Sequence, residues 1–409
     1  MKPRRFPFRM ITAVVFQLLF PMIVLAQLQQ GIWKGSLHRE DHLYAVPIVF
    51  KVGAGNITFI NEDESIAVND LQWQGDSLFF DMPVFESSFR LKSNGNNQLK
   101  GIWIKGVSSG VQVWQVEASL AGDSLRFGKG GNADAIDGKW AIAFTRASGS
   151  KRNAVGEFSV NHNMIKGTIR TPSGDYRYLD GIVRNDSVYL GTFDGSHAFL
   201  LMAKRDADNT LSSGVFYTGA FPAETFTAVK DDNASLPAHD LASAVGEKAI
   251  ILDFCFRDLQ GNEVCLADEK FRNKAIVLQL MGSWCPNCMD ETKWLSEWYR
   301  TKPEDVEVIS LAYELSEDFD RSVKSVQKFR DKFNVPYTML ITGARVSDAQ
   351  KTAKTLQGLP EISLFPTTIF LNNQKKVMAI HPGFYGPAAP EAHAAFIEDF
   401  MANLKLIKP

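Results

Sequence analysis

Two textures divide the chain. From Gln27 to about Lys230, short apolar or aromatic runs are separated by Gly, Asn, Asp and Ser. Apolar and polar residues alternate along Tyr44-Ala45-Val46-Pro47-Ile48-Val49-Phe50-Lys51-Val52 and again along Val111-Gln112-Val113-Trp114-Gln115-Val116. That period of two suits strands with one buried face. Turn clusters such as Asn94-Gly95-Asn96-Asn97 and Pro172-Ser173-Gly174-Asp175 recur at the spacing of an all-β fold. No helical period runs through this half, which predicts antiparallel β structure.

Beyond a polar, breaker-rich stretch at 231–246 (a linker by composition), the texture changes. Ala275 to Met281 is almost wholly apolar, as expected of a central strand covered on both faces. Pro286 to Tyr299 has helical spacing, Val306 to Ala312 reads as a second buried strand, and Phe319 to Phe333 as a second helix. Val323, Val326, Phe329 and Phe333 form its apolar stripe. Tyr337 to Thr342, Ser347 to Leu356, Thr367 to Leu371, Val377 to His381 and Glu391 to Leu404 complete the alternation. Residues 247–409 therefore read as an α/β domain.

The β half echoes itself. Gly31-Ile32-Trp33 returns as Gly138-Lys139-Trp140, and Phe89-Arg90-Leu91 leading to Leu99-Lys100-Gly101-Ile102-Trp103 returns as Phe199-Leu200-Leu201 leading to Leu211-Ser212-Ser213-Gly214-Val215-Phe216, at offsets of 107–112 residues. Preserved order and spacing suggest a duplicated module, 27–135 and 136–230. Each copy is expected to form a small meander barrel or sandwich, and the Gly-x-Trp opening strand resembles the lipocalin-like shape. Gly-Asp-Ser-Leu at Gly75 and Gly122 matches the name-giving tetrapeptide of a serine hydrolase family. Each copy leads into a strand-like run with no base in view, so ordinary turn chemistry accounts for it. His38, Glu40, Asp41 and His42 read as a solvated loop rather than a metal site.

Composition narrows the function. Of 409 residues, 45% are hydrophobic and 22% charged, which excludes disordered, collagenous and coiled-coil classes. Lys plus Arg (44) nearly balances Asp plus Glu (46), so charge gives no reason to expect a nucleic-acid or anionic-membrane partner. Lys2, Arg4, Arg5 and Arg9 precede an apolar run from Met10 to Ala26, which reads as a cleavable signal peptide, 1–26. Membrane association is expected only if that segment stays uncleaved. Export implies a cell-envelope or periplasmic setting where disulfides persist.

Four cysteines are too few for a disulfide scaffold, and two of them carry the chemistry. Trp284-Cys285-Pro286-Asn287-Cys288 lies where the buried strand meets the helix. Cys285 falls near the N-cap, and Pro286 suits the first helical position because its missing N–H is not needed there. The free helix N–H groups and positive dipole end favour a sulfur anion. That anion attacks a substrate disulfide, and Cys288, one turn on, resolves the mixed disulfide. Zinc would need a second ligand pair at matching spacing, which Cys255 and Cys265 do not supply. The exchange requires no metal and no organic cofactor. Cys255 and Cys265 flank Leu259-Gln260-Gly261-Asn262, so a cross-strand disulfide is expected there, with two buried, unlinked thiols as the alternative.

From about Ile250 to Leu404 the chain resembles the TlpA-like branch of the thioredoxin superfamily, the exported thiol–disulfide oxidoreductases. The likeness rests on Phe254 through Leu266, the Trp-Cys-Pro-Asn-Cys motif, Phe365-Pro366-Thr367-Thr368-Ile369-Phe370, and His381-Pro382-Gly383-Phe384 with Gly386-Pro387. It implies that Cys285 attacks, that Cys288 resolves and that the bond before Pro366 is cis and faces the pair. It also implies that Trp284, Pro286, Phe365, Pro366 and Thr367 border the substrate, with the Phe365 backbone free to pair with an extended segment. Glu291 stands where family members often carry a Glu, and would relay the proton of Cys288. Gln279 replaces the buried acid of thioredoxin itself. Peroxiredoxins frame their cysteine with an upstream Pro and Thr, and Met281-Gly282-Ser283-Trp284 lacks both. The expected partners are a disulfide-bearing protein and an upstream electron donor or acceptor. The competing expectation is a ligand- or protein-binding β protein that keeps the second domain as scaffold.

Overall fold

The structure, a computed structural model, describes residues 28–39, 44–219, 222–237 and 249–407. The expected signal peptide, part of the expected linker, and Glu40, Asp41 and His42 lie outside these residues.

Two nine-stranded antiparallel sheets form the N-terminal half. In the first, neighbouring strands pair from Gly31–His38 onward, and this strand also pairs with the last, Gly110–Ala121. Glu64–Val68 and Gln72–Gln74 sit at opposite ends of the strand order, so the ring stays open between them. The second sheet runs from Gly138–Thr145 to Glu224–Lys230, which pair with each other. Pairing of Lys151–Asn161 with Met164–Thr171 closes this ring completely, and closure removes exposed strand edges. The sequence echo has a physical counterpart. Trp33 and Trp140 are both buried, and each indole N–H donates to the carbonyl four residues earlier, Gln29 at 3.0 Å and Ile136 at 2.8 Å.

The open ring does not stand alone. Phe193, Ala198, Leu200 and Tyr217 of the second sheet join the apolar core of the first. Phe193 lies 5.0 Å from Phe59 and 5.2 Å from Trp103, ring centre to ring centre. Beside this contact Arg126 is buried across the junction. It grips Asp180 through two nitrogens at 2.7 and 2.9 Å and donates to Pro47 O, Ile60 O and Asn61 Oδ1 at 2.9 Å each.

The C-terminal sheet has seven strands, in the order Glu263–Cys265, Cys255–Asp258, Thr338–Ile341, Val306–Ala312, Ala275–Met281, Thr367–Leu371 and Val377–Pro382. Ala275–Met281 is buried at every position and pairs parallel with Val306–Ala312 and antiparallel with Thr367–Leu371. Helix Phe319–Phe333 begins where the Asp318 carboxylate accepts from Arg321 N and ends at left-handed Asn334. The side chains of Val326 and Phe329 are buried, as their stripe requires. Of the stretch Ser347 to Leu356, only Lys351–Thr355 is helical. The last helix, Pro390–Ile407, buries Phe396, Phe400, Leu404 and Ile407.

The two halves are fastened together. Val84 and Phe85, in the loop between strands Ser77–Asp81 and Ser87–Ser93 of the first sheet, belong to the core of the α/β domain. Arg321 forks onto both oxygens of Glu86 at 2.9 and 3.0 Å, and Lys328 Nζ donates to Phe85 O at 3.0 Å.

Arg126→Ala leaves the Asp180 carboxylate with no cationic partner inside the junction. Such a loss costs about 3–5 kcal/mol, because an uncompensated charge stays desolvated. Urea unfolding followed by tryptophan fluorescence should show that destabilisation in the β half. A change below about 0.5 kcal/mol, as at ordinary surface sites, contradicts this account of the junction.

Candidate functional site

The site is built where strand Ala275–Met281 runs out. Gly282, Ser283 and Trp284 turn the chain, and helix Pro286–Trp298 starts with Cys285 as its N-cap residue in extended conformation. The Cys288 N–H donates to Cys285 Sγ at 3.2 Å, and Pro286 occupies the first turn. A sulfur thus fills the role that a Ser or Asp oxygen usually plays at a helix start. Cys285 is only 4% exposed and Cys288 fully buried, and both are free thiols. Cys285 Sγ also contacts the carbonyl of Phe365 at 3.7 Å, and the Phe365–Pro366 bond is cis. One face of the helix is buried at Cys288, Glu291, Thr292 and Leu295, a three-four spacing that points Glu291 the same way as Cys288.

Beneath the pair lies a polar cluster sealed from water. Glu291 Oε2 accepts from Gln279 Nε2 at 2.7 Å, and Glu291 Oε1 accepts from the Thr368 hydroxyl at 2.6 Å. The other end of Gln279, Oε1, accepts from the Ser310 hydroxyl at 2.5 Å. Burial pushes the Glu291 carboxyl up to about 7, against the two hydrogen bonds that favour its ionised form. The Cys288 thiol is held well above its ordinary range, chiefly by burial, then by Cys285, with a smaller push from Glu291. Gln279 is a neutral amide, but it anchors a carboxylate whose charge acts on Cys288.

A second buried carboxylate shapes the turn itself. Glu314 accepts from Ser283 N at 2.8 Å and from the Ser283 hydroxyl at 2.6 Å, and burial pushes its carboxyl up to about 7. The Trp284 indole N–H donates to Tyr313 O at 2.9 Å, and its ring meets Phe365 edge-on at 5.8 Å. Thr367 Oγ1 donates to Leu364 O at 2.8 Å. The structure thus gathers Cys285, Cys288, Glu291, Trp284, Pro286, Phe365, Pro366 and Thr367 into one neighbourhood. Glu314 and Tyr313 were not singled out by sequence reasoning. Their only sequence signal was position, just past the end of the buried strand Val306–Ala312.

The Phe365 carbonyl faces Cys285 Sγ, and Phe384 forms a parallel bridge with Gly174 of the β half. Asp175, Arg177 and Ser196, also from the β half, reach the motif as well. The Ser196 hydroxyl donates to Trp284 O at 3.2 Å, Asn287 Nδ2 donates to Asp175 O at 3.1 Å, and Gly386 N donates to Asp175 Oδ2 at 2.6 Å. Arg177 pairs with Asp290 and with Glu64. Nothing local in Ser173-Gly174-Asp175-Tyr176-Arg177 announces this, because a turn sequence does not name its distant neighbours.

Cys255 and Cys265 face each other across the hairpin with Cα atoms 4.0 Å apart and are joined in a disulfide. Glu263 lies close to both sulfurs. Oxidised sulfurs are not thiolates, so this trio does not form a metal centre in the structure.

The buried carboxyls give stability a definite pH dependence. A carboxyl whose folded value is raised favours the folded state most below its ordinary value of 4.5, and that contribution is lost as pH rises through about 7. For Glu291 the loss is on the order of 3 kcal/mol. Urea unfolding between pH 5 and pH 8 should therefore show stability falling with pH, and Glu291→Gln should flatten the fall while leaving the share due to Glu314; the same slope in both proteins refutes the assignment.

Residues 245–380 match the AhpC/TSA family. The thiol-disulfide oxidoreductase ResA of Geobacillus thermodenitrificans is 27% identical over 169 residues, which is 41% of this chain and 80% of that protein. ResA of Bacillus subtilis is 24% identical over 168 residues, covering 41% of this chain and 78% of its own length. Among solved structures, a DsbF homologue from Corynebacterium diphtheriae shares 24% identity, covers 38% of this chain and 88% of that one, and has a TM-score of 0.29. The match does not extend over the β half, and within the region it covers the C-terminal part of this chain is a thioredoxin-like domain of the AhpC/TSA family.

Proposed function

We propose that the chain is an exported thiol–disulfide oxidoreductase that reduces protein disulfides. The observation that carries this reading is the Cys285 sulfur capping the catalytic helix, 3.2 Å from the N–H of its own partner cysteine. Deprotonated Cys285 Sγ attacks one sulfur of the substrate disulfide. A mixed disulfide forms, and the substrate's other sulfur leaves as a thiolate and takes up a proton. Cys288 then yields its proton to Glu291 and attacks Cys285 Sγ. The substrate departs as a dithiol, and Cys285–Cys288 holds the oxidised pair. Two electrons have moved, so a dithiol donor must restore the pair before the next cycle.

Supporting this proton route, Cys288 is fully buried and Glu291 is a carboxylate whose charge acts on it. A carboxyl near 7 can both take and return a proton at neutral pH. Export rests on the basic, apolar leader together with the disulfide at Cys255–Cys265, which persists in an oxidising compartment. Among the described residues no helix is long and apolar enough to cross a membrane. The envelope or periplasm is the setting this favours, with a disulfide-bearing protein as substrate.

Cys288→Ser should accumulate a mixed disulfide with a scrambled or insulin-like substrate, seen as a mass adduct on Cys285 that dithiothreitol releases. Cys285→Ser should form none and lose turnover entirely. Glu291→Gln should slow resolution by about 10²-fold while leaving the first attack little changed, so the adduct lingers in single-turnover experiments. Equal, near-zero turnover in wild type and Cys285→Ser would leave the β half as a binding module and the second domain as its scaffold.

A further inference from the structure

An attacking sulfur must be met in line by a substrate sulfur, so access limits its rate as much as reactivity does. Cys285 is only 4% exposed, and the face around it is occupied from two sides. On the Trp284 side, the Ser196 hydroxyl holds the Trp284 carbonyl. The adjoining cavity, about 250 Å³, is lined by Trp284, Ser196, His197 and Lys105 but not by Cys285. On the Asn287 side lies the tip of the hairpin between Met164–Thr171 and Leu179–Arg184. Gly174 bridges to Phe384, and Asp175 accepts from Asn287 through its carbonyl and from Gly386 through its carboxylate. The Tyr385 hydroxyl donates to Thr171 O at 3.0 Å, and Arg177 pairs with Asp290 on the catalytic helix.

The fit is close at the backbone. Gly174 has φ +145°, and a Cβ there would come within 2.5 Å of the Asn287 amide and 2.6 Å of Phe384 O. Only glycine lets the tip lie so near the motif. The Gly174–Phe384 bridge sets main chain against main chain, as an extended substrate segment would, and side chains make the remaining contacts. They are also few and mostly polar, unlike the apolar wedge of Val84 and Phe85 that fastens the first sheet. The tip can therefore part from the motif while the halves stay joined.

Resting on the oxidoreductase reading above, we propose that hairpin tip 171–177 is an internal plug occupying the substrate face of the redox centre, and that a protein disulfide reaches Cys285 only after the tip is displaced. Asp175 is buried with Asp290 nearby, which pushes its carboxyl up to about 6. The closed tip thus carries an electrostatic cost that a competing strand would relieve.

The test uses the reduced full-length protein and the rate at which iodoacetamide alkylates Cys285, read by peptide mass. Gly174→Ala and the double variant Asp175→Ala/Arg177→Ala should each raise that rate by about tenfold or more, since each weakens closure. Parent Cys285 reacting as fast as a thiol in an unstructured peptide would overturn the plug, as would folded variants no faster than the parent. Should the variants misfold, hydrogen exchange of the parent decides. Labelling Cys285 with a bulky maleimide must expose the amides of 171–177 and 383–387, and unchanged protection would overturn the proposal. A plugged but redox-inactive protein would show these effects while forming no mixed disulfide, so the two readings fail separately.

Discussion

A sulfur at the first turn of a helix, accepting a backbone N–H from the residue it must later bond, is the contact on which the functional part of this molecule depends. It exists because a fully buried strand, Ala275–Met281, ends one turn short of the helix and cannot shift without moving the sheet. Pro286 fixes the start of the helix and surrenders no hydrogen bond in doing so. Cys288 is then placed by helical geometry alone, one turn along and facing inward. The chemistry is thus set by where a strand stops.

Around this contact the protein repeatedly places a carboxylate out of reach of water and satisfies it with neutral donors. Glu291 is held by Gln279 and Thr368, and Glu314 by Ser283 alone, through its amide and hydroxyl. Burial outweighs the hydrogen bonds in both, and in Glu314 also the weaker pull of Arg321, so both carboxyls lie near neutrality. Arg126 with Asp180 is the opposite solution, a fully paired charge that ties the two β rings together. The first arrangement leaves a proton easy to move at neutral pH. The second fixes geometry and moves nothing.

The β half contributes more than bulk. Its first ring is open, and the second ring's Phe193 and Tyr217 join that ring's apolar core. The first ring inserts Val84 and Phe85 into the α/β core, while the second sends a hairpin tip to the catalytic helix. The first ring thus holds the redox domain by an apolar wedge flanked by polar contacts, the second by mostly polar ones.

Much of this was legible in the residues. The alternation in the first half and the continuous apolar run at Ala275–Met281 fix element types, because burial on one face or two leaves a distinct period in the chain. Phe319–Phe333 and Val306–Ala312 could be read to the residue, the first from its apolar stripe and the second as a buried strand. The cysteine pair and the hairpin disulfide followed from short spacing, which local geometry alone converts into distance. Tertiary structure alone decided which carboxylates share the motif's interior, where Arg126 finds its partner, and that Gly174 and Asp175 lie against Asn287. Those contacts join residues roughly 30 to 210 positions apart, and no local pattern encodes them. They arise only when three sheets pack, because burial and charge pairing are properties of the assembled interior.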